Sequence, residues 1–189
     1  MIIVLEGIDN AGKTSIAEKL MDYYEKKGKI AILSKELTTK VGGTIKECLK
    51  DNELSPISKA FLFAADRQIR IEKLKEKIDK DNVIIFDRYL YSAIAYREAE
   101  NLSGNWVREL NKFIPKSDVC IYIDISPEES INRNTDKKFN IHYSLDKLKK
   151  IREAYLKYVN MGELILVDGM RDLDEVIDDI INILEEKEE

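Results

Sequence analysis

Along this chain, short unbroken apolar runs alternate with longer stretches in which apolar side chains return every three or four positions. The runs are Ile2–Leu5, Ile30–Leu33, Val83–Phe86, Val119–Ile123 and Leu164–Val167. They carry no polar alternation, as expected of strands covered on both faces. Between them, Ile16, Ala17, Leu20, Met21 and Tyr24 share one helical stripe, and Leu173, Val176, Ile177, Ile180, Ile181 and Leu184 share another. A long helix is predicted over Ile57–Ile78. Ser126-Pro127-Glu128-Glu129 reads as a helix start, with Ser as cap, Pro in the first turn and Glu129 closing a capping box. No Pro/Gly/Ser-rich linker, repeat or low-complexity tract interrupts the alternation. The pattern predicts an α/β fold, a five-stranded parallel sheet with helices on both faces. At 189 residues the chain suits a single domain, 1–189.

Charge narrows the functions such a domain can have. The chain holds 36 acidic and 31 basic residues, a net charge of -5. That is the wrong sign for neutralising many phosphates along a nucleic acid, so a nucleic-acid partner is not expected. A small anionic ligand must instead meet local positive charge. The two cysteines, Cys48 and Cys120, lie far apart with no Cys/His cluster, which argues against a disulfide scaffold or zinc site and fits a reducing, cytoplasmic compartment. The opening Met1-Ile2-Ile3-Val4-Leu5-Glu6 is too short for a signal peptide, and no run approaches the roughly 18 apolar residues of a membrane span. A soluble protein without a membrane partner is expected.

Local positive charge is easy to find. Gly7-Ile8-Asp9-Asn10-Ala11-Gly12-Lys13-Thr14 matches GxxxxGK[ST], runs on into Ser15, and sits between a predicted strand and a predicted amphipathic helix. In that setting the glycines let backbone N–H groups curl round a phosphate, and the helix N-terminus adds partial positive charge. Lys13 adds a full charge and Thr14 a hydroxyl for Mg²⁺. At the end of the third run, Asp87 and Arg88 arrive at the carboxyl edge of the sheet, where open α/β sheets bind ligands. Asp87 suits Mg²⁺ or its water shell, and Arg88 suits bridging two phosphates. An ordinary strand-end ion pair is the plainer reading of Asp87 and Arg88, and the neighbouring phosphate loop weighs against it.

Phe63 and Arg67 lie four residues apart on the predicted long helix and so share a face. An aromatic plate beside a guanidinium suits a nucleotide, with the ring on a base and the Arg on a monophosphate. Periodicity alone equally allows Phe63 in the core and Arg67 paired with Asp66 or another acid. Arg88, Ser92 and Tyr96 recur at i, i+4 and i+8, a line fit to run from phosphate to base. Tyr96 as a core ring with a wet hydroxyl is the alternative.

Taken together, Leu5–Asp9 with the phosphate loop, Phe61–Arg67, Asp87-Arg88-Tyr89 with Ser92 and Ala95-Tyr96, Trp106 before Leu110-Asn111, Ile123–Glu129 and Ala154-Tyr155-Leu156 resemble the thymidylate kinase family, in order and in spacing, from residue 1 to about residue 184. The resemblance implies a P-loop nucleoside-monophosphate kinase that uses ATP and Mg²⁺ to phosphorylate dTMP, and a homodimer built through helices flanking the acceptor site. It implies that Gly7 to Ser15 hold ATP, that Asp9 touches the acceptor sugar, that Phe63 stacks on thymine, and that Arg67 and Arg88 hold the acceptor phosphate. Tyr96 would lie beneath the sugar, Tyr155 near the base or sugar, and Asp168 to Arg171 along the adenine. A lid, about 133–143, would carry Arg133, Lys137 and Lys138. Asn10 occupies a position where one branch of the family has an arginine; its lack of charge implies that the lid supplies the catalytic arginine, with Arg133 the candidate beside Lys13 and Arg88.

The chain also departs from the pattern. Lys35-Glu36-Leu37 stands where family members commonly read Arg-Glu-Pro, and the later Gly42-Gly43-Thr44 is read as part of the following helix. Ala93 replaces a frequent Gly, Asn or Thr near the base, and Arg97 a frequent Gln. These departures keep open a related kinase acting on another deoxynucleotide or on a nucleoside. A nucleotide-binding regulatory protein without catalysis is the reading from another class, and the presence of Lys13, Asp87 and Arg88 argues against it.

Overall fold

The computed structural model describes residues 1–51, 53–78, 80–133 and 143–188. Five strands, β1 (Ile2–Glu6), β2 (Ala31–Lys35), β3 (Val83–Asp87), β4 (Val119–Asp124) and β5 (Ile165–Asp168), form one parallel sheet in the order β2-β3-β1-β4-β5. Every residue of β1 and β3 is buried, which accounts for their unbroken apolar sequences. The second and fifth strands each begin one residue later than expected, at Ala31 and Ile165. Leu5 is in register with Asp87 of β3 and Ile121 of β4, so the segments after β1 and β3 leave the sheet at one level. The chain also changes side at β1, with β3 and β2 to one side and β4 and β5 to the other, and such crevices receive ligands.

The helices are α1 (Lys13–Lys26), α2 (Lys40–Lys50), α3 (Pro56–Ile78), α4 (Leu90–Glu98), α5 (Gly104–Leu110), α6 (Pro127–Asn132), α7 (Leu145–Asn160) and α8 (Leu173–Glu188). Helix α1 packs on α8 and on the sheet; α4 packs on α3, α5 and α7. Since the central strands are buried throughout, these two groups cover opposite faces. The stripes read from the sequence are the ones that pack. Ile16, Ala17, Leu20 and Tyr24 of α1 and Val176, Ile177, Ile180 and Leu184 of α8 are buried, whereas Met21 and Leu173, at the margins, are not fully covered. None of the helices among the described residues is long and apolar enough to cross a membrane.

Two local details differ from expectation. Ser126 caps α6 by accepting from Glu129 N at 3.1 Å, but the Glu129 carboxylate does not close the box; it accepts from Arg133 Nε at 2.7 Å, a charge-assisted bond stronger than one to a neutral amide. Gly42-Gly43-Thr44 falls inside the first turns of α2, as read from the sequence, and Gly42 has a packing reason. A Cβ there would lie 2.5 Å from Leu37 Cα, and Leu37 itself has φ of 60°. The Asp66 carboxylate holds that strained turn by accepting from Leu37 N at 3.0 Å and Thr39 Oγ1 at 2.6 Å. The turn thereby presents Glu36 to a cavity above the sheet.

Candidate active site

The loop after β1 is shaped by backbone positions few residues tolerate. Asn10 and Gly12 have φ of 61° and 85°, and Gly12 precedes the first turn of α1, leaving the amides of that turn free for an anion. Lys13 is almost wholly buried, and its Nζ donates to Ile8 O at 2.7 Å, folding the side chain back over its own loop. Burial first, and the neighbouring Arg88 charge second, bring its pKa down to about 8, against the pull of Asp87 and Asp9. An arriving phosphate offers the compensation this ammonium lacks. The loop is backed by α6, since Asn10 Nδ2 donates to Ser130 O at 2.9 Å and Ser130 Oγ to Asp9 O at 2.7 Å.

Asp87 and Arg88 stand beside it. Thr14 Oγ1 donates to Asp87 Oδ2 at 2.6 Å, which brings a hydroxyl and a carboxylate together at the mouth of the loop. Two hard oxygen donors of this kind suit Mg²⁺, which keeps most of its waters and binds through one or two protein oxygens and the phosphates of its nucleotide. The pair fits that ion. Arg88 has φ of 71° and precedes α4 rather than belonging to it. Its Nη1 donates to Gly7 O at 2.9 Å and Ser92 Oγ at 3.2 Å, its Nη2 to Asp9 Oδ1 at 2.5 Å, and its guanidinium lies 4.9 Å from the Tyr96 ring centroid. Tyr96 donates its hydroxyl to the same Asp9 oxygen at 3.2 Å. The line of Arg88, Ser92 and Tyr96 is therefore real as a cluster, though its first member reaches it from a strained turn and not along a helical face.

Two cavities flank this cluster. One, about 770 Å³ counted out to open solvent, is walled by Asp9, Arg88, Ser92, Tyr96, Phe63 and Glu36, among others. The other is lined by Asn10, Gly12, Lys13, Thr14, Ser15 and Arg133. Adjacent residues of one loop, Asp9 and Asn10, thus face different cavities. Arg133 reaches the second from the end of α6, with Nε on Glu129 and an Nη2 donor 3.1 Å from Gly169 O, in the loop after β5. In that loop Arg171 turns away to pair with Asp179. Lys137 and Lys138, with most of the expected lid, lie outside the described residues.

Two of the expected site residues lie in the interior. Arg67 does not share the cavity wall with Phe63. It is fully buried, with Nη1 on Asn111 Oδ1 and Nη2 on Glu36 Oε1, both at 2.7 Å, because α3 turns this face into the interior and the Glu36 carboxylate neutralises it there. Asp66 is instead the partner of Arg70 and of the Leu37 turn. Tyr155 is also fully buried. Its ring stacks on Tyr122 at 4.7 Å and its hydroxyl meets Ser92 Oγ at 2.7 Å, so it stands behind Ser92 and not against a ligand.

Sequence reasoning overlooked the group that organises this corner. Glu6, wholly buried at the end of β1, accepts from Tyr89 N at 3.1 Å, Tyr91 N at 3.0 Å, Tyr155 Oη at 3.3 Å and Ser92 Oγ. Burial raises its pKa, against the bonds from Ser92 and the charge of Arg88. A carboxylate at the N-terminus of α4 satisfies amides that no helical carbonyl can reach. The available signal was a lone acid closing an otherwise apolar strand.

The sequence model of the family described as thymidylate kinase matches residues 5–180. Similar proteins include a probable thymidylate kinase of Pyrococcus abyssi, 39% identical over 96% of this chain and 94% of its own length. Probable thymidylate kinase 1 of Saccharolobus solfataricus is 36% identical over 97% of this chain and 96% of its own. A probable thymidylate kinase of Thermococcus kodakarensis is 36% identical, over 98% and 97%.

Proposed function

This chain belongs to the thymidylate kinase family, and from that premise we propose that it transfers the γ-phosphoryl group of ATP to dTMP, giving dTDP on the route to dTTP. The observation that carries the reading is the pair of cavities meeting across Asp9 and Asn10, with Lys13 on one side and Arg88 on the other. Donor and acceptor phosphates would approach each other there, each in its own compartment.

The residues divide the work as follows. The loop amides, Gly7 to Ser15, and Lys13 bind the β- and γ-phosphates of ATP. Thr14 and Asp87 would hold Mg²⁺, which supplies neutralising charge between the phosphates when bound. Arg88 carries five N–H donors, three of them held by Gly7, Ser92 and Asp9, which leaves two for the acceptor phosphate. Phe63 offers its face to the base. Tyr96, fixed by Asp9 and covered by Arg88, forms the floor under the sugar and crowds a 2′-hydroxyl. An oxygen of the acceptor phosphate attacks the γ-phosphorus as the bond to the bridging oxygen breaks, and ADP leaves. The protein contributes alignment and positive charge to that step and little covalent chemistry. Arg133, at the mouth of the ATP cavity, is the arginine placed to add charge there.

The same reading includes a homodimer formed through helices beside the acceptor cavity and action in the cytoplasm. It is tested by measuring turnover with ATP and Mg²⁺ on dTMP, dUMP, dCMP, dGMP, UMP and thymidine. The expected result is highest kcat/KM on dTMP; a far better turnover of dGMP or of a nucleoside would sink the assignment.

A further inference from the structure

Glu6 closes β1 and lines neither cavity, so it meets no ligand. It is fully buried, yet four donors converge on it, and a carboxylate, with about four lone-pair sites and no hydrogen of its own, is the side chain able to accept them all. Its two oxygens have different partners. Oε1 takes the amides of Tyr89 at 3.1 Å and Tyr91 at 3.0 Å, and capping α4 requires nothing more. Oε2 takes the hydroxyls of Ser92 and, at 3.3 Å, of Tyr155. Ser92 Oγ also accepts from Arg88 Nη1 at 3.2 Å. A guanidinium only donates, so the single Ser92 hydrogen cannot point at Arg88 and goes to Glu6. Donation in this chain therefore runs one way, from Arg88 to Ser92 to Glu6.

We propose that Glu6 is a positioning residue for the phosphoryl transfer, fixing the Arg88 guanidinium against the acceptor phosphate through the Ser92 hydroxyl. This rests on the reading of Arg88 as the group that binds that phosphate. Glu6 holds Arg88 from two directions. The φ of 71° places Arg88 in left-handed backbone, and the Tyr89 amide bound by Glu6 is the next one along the chain, so the carboxylate pins the strained turn where it leaves Arg88. At the other end of the residue, Gly7 O and Ser92 Oγ fix Nη1 and Asp9 fixes Nη2. Of these three acceptors, Ser92 is the one whose lone pairs turn with a hydrogen. Glu6 takes that hydrogen and keeps the lone pairs on Arg88. A fork held in this way has its two remaining donors set before the phosphate arrives, and little ordering is left for binding or for the transition state.

The test is a double-mutant cycle on kcat/KM for dTMP. In Glu6→Gln the amide oxygen must keep facing the Tyr89 and Tyr91 N–H groups, which turns the amino group toward Ser92 and Tyr155 and sets it in competition with Arg88 for the Ser92 lone pairs. Glu6→Gln should lower kcat/KM for dTMP by about tenfold or more with KM for ATP unchanged, and in an Arg88→Ala background the same substitution should cost about twofold or less. An equal loss in both backgrounds means that Glu6 only caps α4, and it overturns the inference. Ser92→Ala leaves both backbone contacts of Glu6 in place, and it decides the matter where Glu6→Gln does not fold. It should lower kcat/KM for dTMP by about fivefold or more and lose that effect in the Arg88→Ala background; no loss, or an equal loss in both backgrounds, overturns the inference. An unaltered protein that does not phosphorylate dTMP refutes instead the functional reading, whereas one that does, with equal losses across the cycle, refutes the role of Glu6 alone.

Discussion

Lys13 holds an ammonium where little water reaches it, and among the described residues its hydrogen bond goes to the neutral carbonyl of Ile8. Such a group gains most when a phosphate arrives, and more again as charge builds in the transition state. Lys13→Ala is therefore expected to lower kcat/KM by on the order of 10³-fold while the thermal midpoint is nearly unaffected; steady-state kinetics with a parallel melt checks both. Arg133 is argued differently, because it enters the ATP cavity from the end of α6 on ties to Glu129 and Gly169. Arg133→Ala should reduce kcat by about 10²-fold with little change in acceptor KM, and Arg133→Lys should recover only part, since an ammonium lacks the guanidinium fork. Retention of most of kcat in Arg133→Ala, with loss on substituting Lys137 and Lys138 together, would move the assignment to those lysines. Lys13, Asp87 and Arg88 were legible in the chain because their spacing is local. The burial of Arg67 and Tyr155 was not legible, because periodicity says which residues share a helix face and not whether that face meets a cavity or the interior.

At the scale of elements, carboxylates hold the site together. Glu6 ties the end of β1 to the start of α4, Asp66 ties α3 to the Glu36–Leu37 turn, and Glu100 gathers Lys59 of α3, Arg97 of α4 and Lys147 of α7. Burial alone would raise the pKa of Glu100, but the hydrogen bond from Lys147 and the charges of Arg97, Lys147 and Lys59 bring it below the ordinary carboxylate value. A folded-state pKa below the unfolded one means stability that is present above about pH 4.5 and is lost as pH falls through the folded value. Glu100→Gln should thus cost on the order of 1–3 kcal/mol at neutral pH. Melts recorded from pH 7 to about pH 3 should show the two proteins converging on the acid side; a constant difference would exclude this cluster as the source. None of these three acids stood out in the sequence, because each reaches partners at least 29 residues away in at least one direction.

For the molecule as a whole, α3 carries an exposed apolar strip next to the acceptor cavity. Ile57 and Phe61 are each 53% exposed, and Phe61 is steadied edge-on by Trp106 at 5.6 Å. Large apolar groups beside a functional cavity are a reason to look for a partner surface, and a second copy is the partner proposed above. Light scattering should give about twice the 21.9 kDa of one chain, and Phe61→Glu should shift the protein toward monomer without altering its far-ultraviolet circular dichroism. A monomeric unaltered protein would remove the dimer from the proposal.

The sequence by itself determined the class of fold, the five strands, the phosphate loop and the strand-end Asp87 and Arg88. Hydrophobic period and motif spacing act over a few residues, and helix or strand geometry converts them directly into position. Tertiary structure alone decided that Asp9 and Asn10 face different cavities and that Glu6 anchors α4. It also decided that Arg67 pairs with Glu36 and Asn111 in the interior. Those outcomes depend on which charges end up within about 3 Å of each other after elements distant in sequence have packed, and no local pattern encodes that distance.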